Sequence, residues 1–124
     1  CIAAALATID ILEREGIANA AKIGAKMFDR LRTWPKKHSI VGDVRGRGLM
    51  IGIEIVKDQQ SREAVGAWRD RIVELAFERG LLILGCGETS IRLAPPLIVN
   101  EHQADVALDI FEDCIATVEK EHAQ

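Results

Sequence analysis

The sequence predicts an α+β fold, a small antiparallel sheet of about four strands with helices packed on one face. Blocks of helical and strand periodicity alternate along the chain. The strand-like blocks come in pairs, and each pair is joined by a short glycine-containing turn rather than by a crossover helix.

The first helix is carried by Ile2, Ala5, Leu6, Ile9 and Leu12 and is expected to run to about Glu15, with Gly16 as a left-handed stop. A second begins near Ile17 or Asn19, places Ala20, Gly24, Met27, Phe28 and Leu31 on one face, and is expected to end before Pro35. The two either meet at an angle or form one long bent helix. From Ile40 the period shortens. Ile40–Arg45 and Leu49–Val56 read as strands, with Gly46 and Gly48 supplying the turn. A polar loop from Lys57 leads to a third helix, capped by Ser61 or a neighbour, with Val65, Trp68, Ile72, Leu75 and Ala76 as its apolar face and Gly80 as its end. Leu81–Leu84 reads as a strand, Gly85–Thr89 as a turn, and Ser90–Ala94 as a strand closed by Pro95 and Pro96. Asn100 caps the last helix with Gln103 completing a capping box, and its stripe is Ala104, Ala107, Leu108, Phe111, Ile115 and Val118. Residues 1–36 are expected as a helical segment and 37–124 as the α+β domain.

A chain of 124 residues, 48% hydrophobic and 28% charged, has the length and balance to build one globular core. Its net charge of −3 and lack of a basic cluster give no footprint for nucleic acid, and the apolar runs are too short to span a bilayer. Cys1, Cys86 and Cys114 form no C-x-x-C pair, so buried free thiols in a cytoplasmic protein are expected, without a zinc site. The absence of an initiating methionine and of a capping residue before Ile2 leads us to expect a piece of a longer protein.

Arg92 is the principal candidate for chemistry. On a strand, Ile91 and Leu93 face one side and Arg92 the other, where a guanidinium can bind a carboxylate through two parallel hydrogen bonds. The pattern alone favours an arginine on the solvated face of a half-buried sheet. Gly46-Arg47-Gly48-Leu49-Met50-Ile51-Gly52 superficially matches a dinucleotide fingerprint, but the run after Gly48 is strand-like, so no helix terminus meets a phosphate. Arg45 and Arg47 read as exposed turn arginines, Asp43 and Glu54 as surface or ion-paired carboxylates, and His38, His102 and His122 as solvated. Cys86, between two glycines, reads as a small buried side chain.

Val44-Arg45-Gly46-Arg47-Gly48-Leu49-Met50-Ile51-Gly52-Ile53-Glu54, followed by Ser90-Ile91-Arg92-Leu93-Ala94-Pro95-Pro96-Leu97, resembles the C-terminal small domain of class III pyridoxal-phosphate aminotransferases of the 4-aminobutyrate and ornithine type. Cys1-Ile2-Ala3-Ala4-Ala5-Leu6-Ala7 and Gln103-Ala104-Asp105 extend the resemblance over essentially the whole chain. It implies an enzyme that moves an amino group between an amino acid and a 2-oxo acid on pyridoxal phosphate, as a homodimer. It also implies that Arg92 binds the substrate carboxylate. The family's cofactor lysine matches none of Lys22, Lys26, Lys36, Lys37, Lys57 or Lys120, so no catalytic or cofactor-binding residue is assigned and no cofactor is expected on this segment alone. A racemase on the same scaffold is a related possibility. The alternative of another class is a self-standing, non-catalytic α+β module that binds a small carboxylate or a partner protein.

Overall fold

The computed structural model describes residues 1–123. Helix α1 (Ile2–Ile11) runs through a π-helical turn (Leu12–Gly16) into α2 (Ile17–Leu31), giving one continuous rod. Gly16 is therefore no left-handed stop. Its φ of −62° is helical, and the π-helical turn absorbs the irregularity there. None of the α1 residues is buried, and Ile2, Leu6 and Ile9 stand in solvent. Helix α2 instead buries Ile23, Met27 and Leu31. It ends at Leu31, earlier than expected, and Pro35 lies in the first turn of a separate short helix, α3 (Trp34–Lys37), where its missing N–H costs nothing. Trp34 in that turn is fully buried against Phe111, with ring centroids 5.4 Å apart.

Strands β1 (Val41–Arg47) and β2 (Met50–Ile55) form a hairpin in which Arg47 pairs with Met50, leaving Gly48 and Leu49 as the loop. Gly48 has φ +57° at the first loop position, which a two-residue hairpin assigns to glycine. Gly46 is not in the turn. It sits inside β1, where a Cβ would press on the Met50 carbonyl and lie 2.8 Å from Ile51 Cα. Helix α2 packs on this hairpin backbone to backbone, for a Cβ on Gly24 would collide with the Gly48 carbonyl group.

Ser61 caps nothing. Its amide and hydroxyl donate to Asp58, at 2.7 and 2.6 Å, in a turn that closes before helix α4 (Gly66–Glu78) begins, and the N-cap of α4 is Val65. The other end is as expected. Gly80 has φ +83°, and the amides of Gly80 and Leu81 donate back to the Phe77 and Ala76 carbonyls in a Schellman pattern. Strand β3 is Leu84–Cys86 rather than Leu81–Leu84, and the turn before β4 (Ser90–Leu93) shrinks to Gly87–Thr89. The Arg69 side chain of α4 explains part of this shift. It lies beneath Gly85, where a Cβ would be 2.9 Å from its Cζ, and its Nη1 donates to the Gly87 carbonyl at 3.2 Å.

The sheet order is β1-β2-β4-β3, all antiparallel. Ile51, Ile53, Ile55, Ile91 and Leu93 are buried in one core with residues of α2, α4 and α5 (Glu101–His122), so the helices cover a single face. The Asn100–Gln103 capping box is present in both directions.

His38, expected in solvent, is buried at 6% exposure. Its Nδ1 lies 3.0 Å from Glu119 Oε2 and its Nε2 3.5 Å from Glu112 Oε1, both on α5. Glu112 also pairs with Lys37 and, at 2.7 Å, with Arg30. Burial pushes the Glu112 carboxyl up, but the donors Arg30, Lys37 and His38 outweigh it and hold it at about 2, below its ordinary 4.5.

Two predictions follow from these contacts. Gly24→Ala gains about 1 kcal/mol of helix propensity but must push the hairpin away, so a net loss of roughly 1–3 kcal/mol is expected in urea unfolding. The depressed Glu112 value means that its stabilisation is complete above its unfolded value of 4.5 and is lost as pH falls towards about 2. Glu112→Gln should cost roughly 1–3 kcal/mol near neutral pH and flatten the acid limb of the stability profile, read by urea unfolding at about pH 7 and about pH 3.

Candidate functional site

Because the helices cover one face, every second residue of each strand is left on the other. Cross-strand register lines these residues into rows. One row is Arg45, Gly52, Arg92 and Leu84, and the next is Asp43, Glu54, Ser90 and Cys86. This open face carries the polar groups of the sheet.

Arg92 sits in the middle of β4 between buried Ile91 and Leu93, which fix its backbone. Its side chain is exposed and makes no hydrogen bond or ion pair among the described residues. Arg45, two strands away in the same row, is already engaged. Its Nη1 lies 3.1 Å from Asp43 Oδ2 and its Nη2 donates to Ser90 Oγ at 3.3 Å. Gly52 stands between the two arginines with room to spare, since a Cβ there would meet only Arg45, at 3.8 and 3.9 Å. The glycine keeps the floor between the guanidinium groups low. Glu54 pairs with Arg62 at 2.8 Å, as a surface carboxylate does.

Arg92 borders two concavities. A broad one of about 830 Å³ spreads over the open face past Gly52 to Arg45, Ser90 and Cys86. A smaller one of about 360 Å³ opens at the end of β4, beside Leu84 and Pro95. A third groove of about 730 Å³ lies between α2 and the hairpin tip and is lined mainly by Ala20, Gly24, Leu49 and Pro95. The chain between β4 and α5 is anchored to α2, because Asn19 Nδ2 donates to the carbonyls of Leu97 and Val99 at 2.7 and 2.9 Å.

The structure thus leaves the Arg92 guanidinium without a partner among the described residues and occupies Arg45 with neighbours. Arg47 is exposed at the hairpin end. The thiols of Cys1 and Cys86 are exposed, against expectation, and only Cys114 is buried. Cys86 lies on the edge strand facing the uncovered side, and Cys1 precedes α1, none of whose residues is buried. Gly52 and Leu84 carried no sequence signal of their own, since their place beside Arg92 is set by strand register. No group of three or more His, Cys, Asp or Glu side chains suited to a metal ion occurs among the described residues. None of the lysines lines either concavity beside Arg92, so the face has no amine with which a pyridoxal aldehyde could bond and the residues present do not by themselves fit that cofactor.

The chain matches the family model of class-III aminotransferases over residues 1–115. It is 36% identical to isoleucine 2-epimerase of Lentilactobacillus buchneri over 96% of this chain and 27% of that protein. It is 39% identical to a taurine–pyruvate aminotransferase of Bilophila wadsworthia, over 95% of this chain and 28% of that one. Among solved structures, an amine transaminase from an uncultivated Pseudomonas species superposes with a TM-score of 0.86 at 35% identity, covering 94% of this chain and 27% of its own. The chain spans a little over a quarter of the length of these relatives. It belongs to the class-III aminotransferase family.

Proposed function

We propose that this chain is the C-terminal domain of a pyridoxal-phosphate-dependent aminotransferase, where it forms one wall of the substrate cleft. Arg92 carries the proposal. It is a guanidinium on a rigid strand, on the uncovered face, with no internal partner among the described residues. There it binds the carboxylate shared by amino-acid and 2-oxo-acid substrates and fixes its orientation through two parallel hydrogen bonds. The cofactor supplies carbanion stabilisation and is held by residues outside this chain. The contribution of this domain is orientation and charge, and alone it is inactive. A homodimer is part of the same proposal, supported by the family resemblance. So is a cytoplasmic location, supported by three unpaired cysteines.

A second reading is that the whole enzyme is an amino-acid racemase. It is favoured by the epimerase relative at 36% identity. A carboxylate-binding arginine serves both reactions, so Arg92 does not separate them. Incubation of one amino-acid enantiomer without any 2-oxo acid does. Sustained appearance of the mirror-image amino acid marks a racemase, whereas turnover only after a 2-oxo acid is added marks an aminotransferase.

In the full-length enzyme, Arg92→Ala is expected to lower kcat/KM for carboxylate substrates by the equivalent of roughly 2–5 kcal/mol. Arg92→Lys should restore little, because an ammonium lacks the two-pronged geometry. Unchanged kcat/KM across several 2-oxo acids would remove Arg92 from the site. Pyridoxal phosphate added to the 124-residue chain and reduced with borohydride is expected to label no single lysine stoichiometrically. One uniquely labelled lysine, whose aldimine absorbance amino acids bleach before reduction, would show that the cofactor machinery lies within this chain.

A further inference from the structure

The turn between β3 and β4 is held from beneath by a side chain of α4. Arg69 stands one helical turn before the buried Ile72, on the face that α4 presents to the sheet. Its guanidinium fills the space under Gly85, where a Cβ would lie 2.5 Å from Nη1 and 3.0 Å from Cδ. Nη1 donates to the Gly87 carbonyl at 3.2 Å, and the start of α4 touches the same turn, since a Cβ on Gly66 would be 3.1 Å from the Glu88 carbonyl oxygen. The Arg69 side chain is 15% exposed. Its Nε is buried without a hydrogen bond, for Asp70 Oδ1, 2.8 Å away, meets it by charge alone. An apolar side chain of the same length would fill this space and leave no buried nitrogen unbonded, so packing by itself does not call for an arginine. What the guanidinium adds is a donor aimed at the turn.

That turn bears on Arg92 through β3. Strand β3 lies at the edge of the sheet and has β4 as its one strand neighbour among the described residues. In the row across the open face, Arg92 stands between Gly52, which has no side chain, and Leu84 of β3. Leu84 is therefore the one side chain directly beside Arg92 in its row, and it is carried by the strand that Arg69 ties down. We infer that Arg69 is a positioning residue for Arg92. It fixes the β3–β4 turn, the turn fixes β3, and Leu84 limits the directions open to the Arg92 stem before substrate arrives. This role rests on the carboxylate reading of Arg92 and adds the group that orders it in advance. An arginine released to sample its rotamers must be ordered on binding, which weakens substrate and transition state alike and is read as a higher KM at nearly unchanged kcat.

The test is a double-mutant cycle in the full-length enzyme, reading kcat and KM for one amino-acid donor. Arg69→Met keeps the length of the side chain and removes the donor to Gly87. Gly85→Ala keeps Arg69 but drives its guanidinium from beneath the strand. Each should lower kcat/KM by about tenfold, through KM, a loss on the order of an arginine's rotamer freedom. In an Arg92→Ala background each should change kcat/KM by less than about twofold, because the group being positioned is gone. Equal losses in both backgrounds, or a loss carried by kcat, overturn the positioning role and leave Arg69 a support of the fold. Unchanged kcat/KM in folded Arg69→Met overturns it too. Melting temperatures show whether Arg69→Met has folded, and if it has not, Gly85→Ala decides. Arg92→Ala alone separates the two levels. If it leaves kcat/KM intact, the carboxylate reading fails. If it lowers kcat/KM while Arg69→Met does not, only the role of Arg69 fails.

Discussion

The alternation of β4 determines where this domain can act. Ile91 and Leu93 are fixed in the core with Phe111, Ile115 and the isoleucines of β2. A strand that buries those two residues must present Arg92 on the opposite face, and a slip of one residue would put a guanidinium in the core and two apolar side chains in water. The hydrophobic energy of the core therefore holds the orientation of a polar group that makes no hydrogen bond or ion pair among the described residues. The arginine is thereby held on a rigid backbone while its guanidinium stays unengaged among the described residues.

Around this strand, the helices decide which face is free. Helices α2, α4 and α5 all pack on the same side of the sheet through one apolar core, and polar contacts add to the tie between α2, the turn at His38 and α5. Arg30 bridges Asp109 and Glu112, Lys26 meets Glu101 and Asp105, and His38 sits between Glu112 and Glu119. The exposed members of this network contribute little individually. Around Glu112 the donors Arg30, Lys37 and His38 converge, and they hold its carboxyl in the charged form despite its partial burial. The close approach of Gly24 to Gly48 completes the packing by seating α2 against the hairpin tip.

The uncovered side then acquires its character from register. Arg45 and Gly52 come from one pair of neighbouring strands and Leu84 and Arg92 from another, separated in sequence by α4, yet the four form one row. Within it, one arginine is paired with Asp43 and hydrogen-bonded to Ser90, one has no partner among the described residues, and a glycine leaves space between them. The same row ends at Leu84, where pairing stops and an apolar cavity begins. The Arg92 guanidinium, without a partner among the described residues, thus stands where a polar surface meets an apolar one.

The period-two and period-3.6 patterns were enough, from the sequence, for the α+β class, the hairpin, the Asn100 capping box, the Gly80 stop and the outward direction of Arg92. These are local properties, set by residues within a turn or a strand of one another. Gly16, Ser61 and the start of β3 were misplaced because each depends on distant atoms or on continuity of the chain. Gly16 stays helical within a continuous rod, Ser61 is captured by Asp58, and β3 begins where β4 and Arg69 receive it. The burial of His38 could not be read from its polar neighbours, since its partners arrive from α5 some 80 residues later in the chain. Sequence alone determined that Arg92 leaves the core. Only the tertiary structure decided what surrounds it, because register and helix packing bring together residues whose meeting leaves no trace in local order.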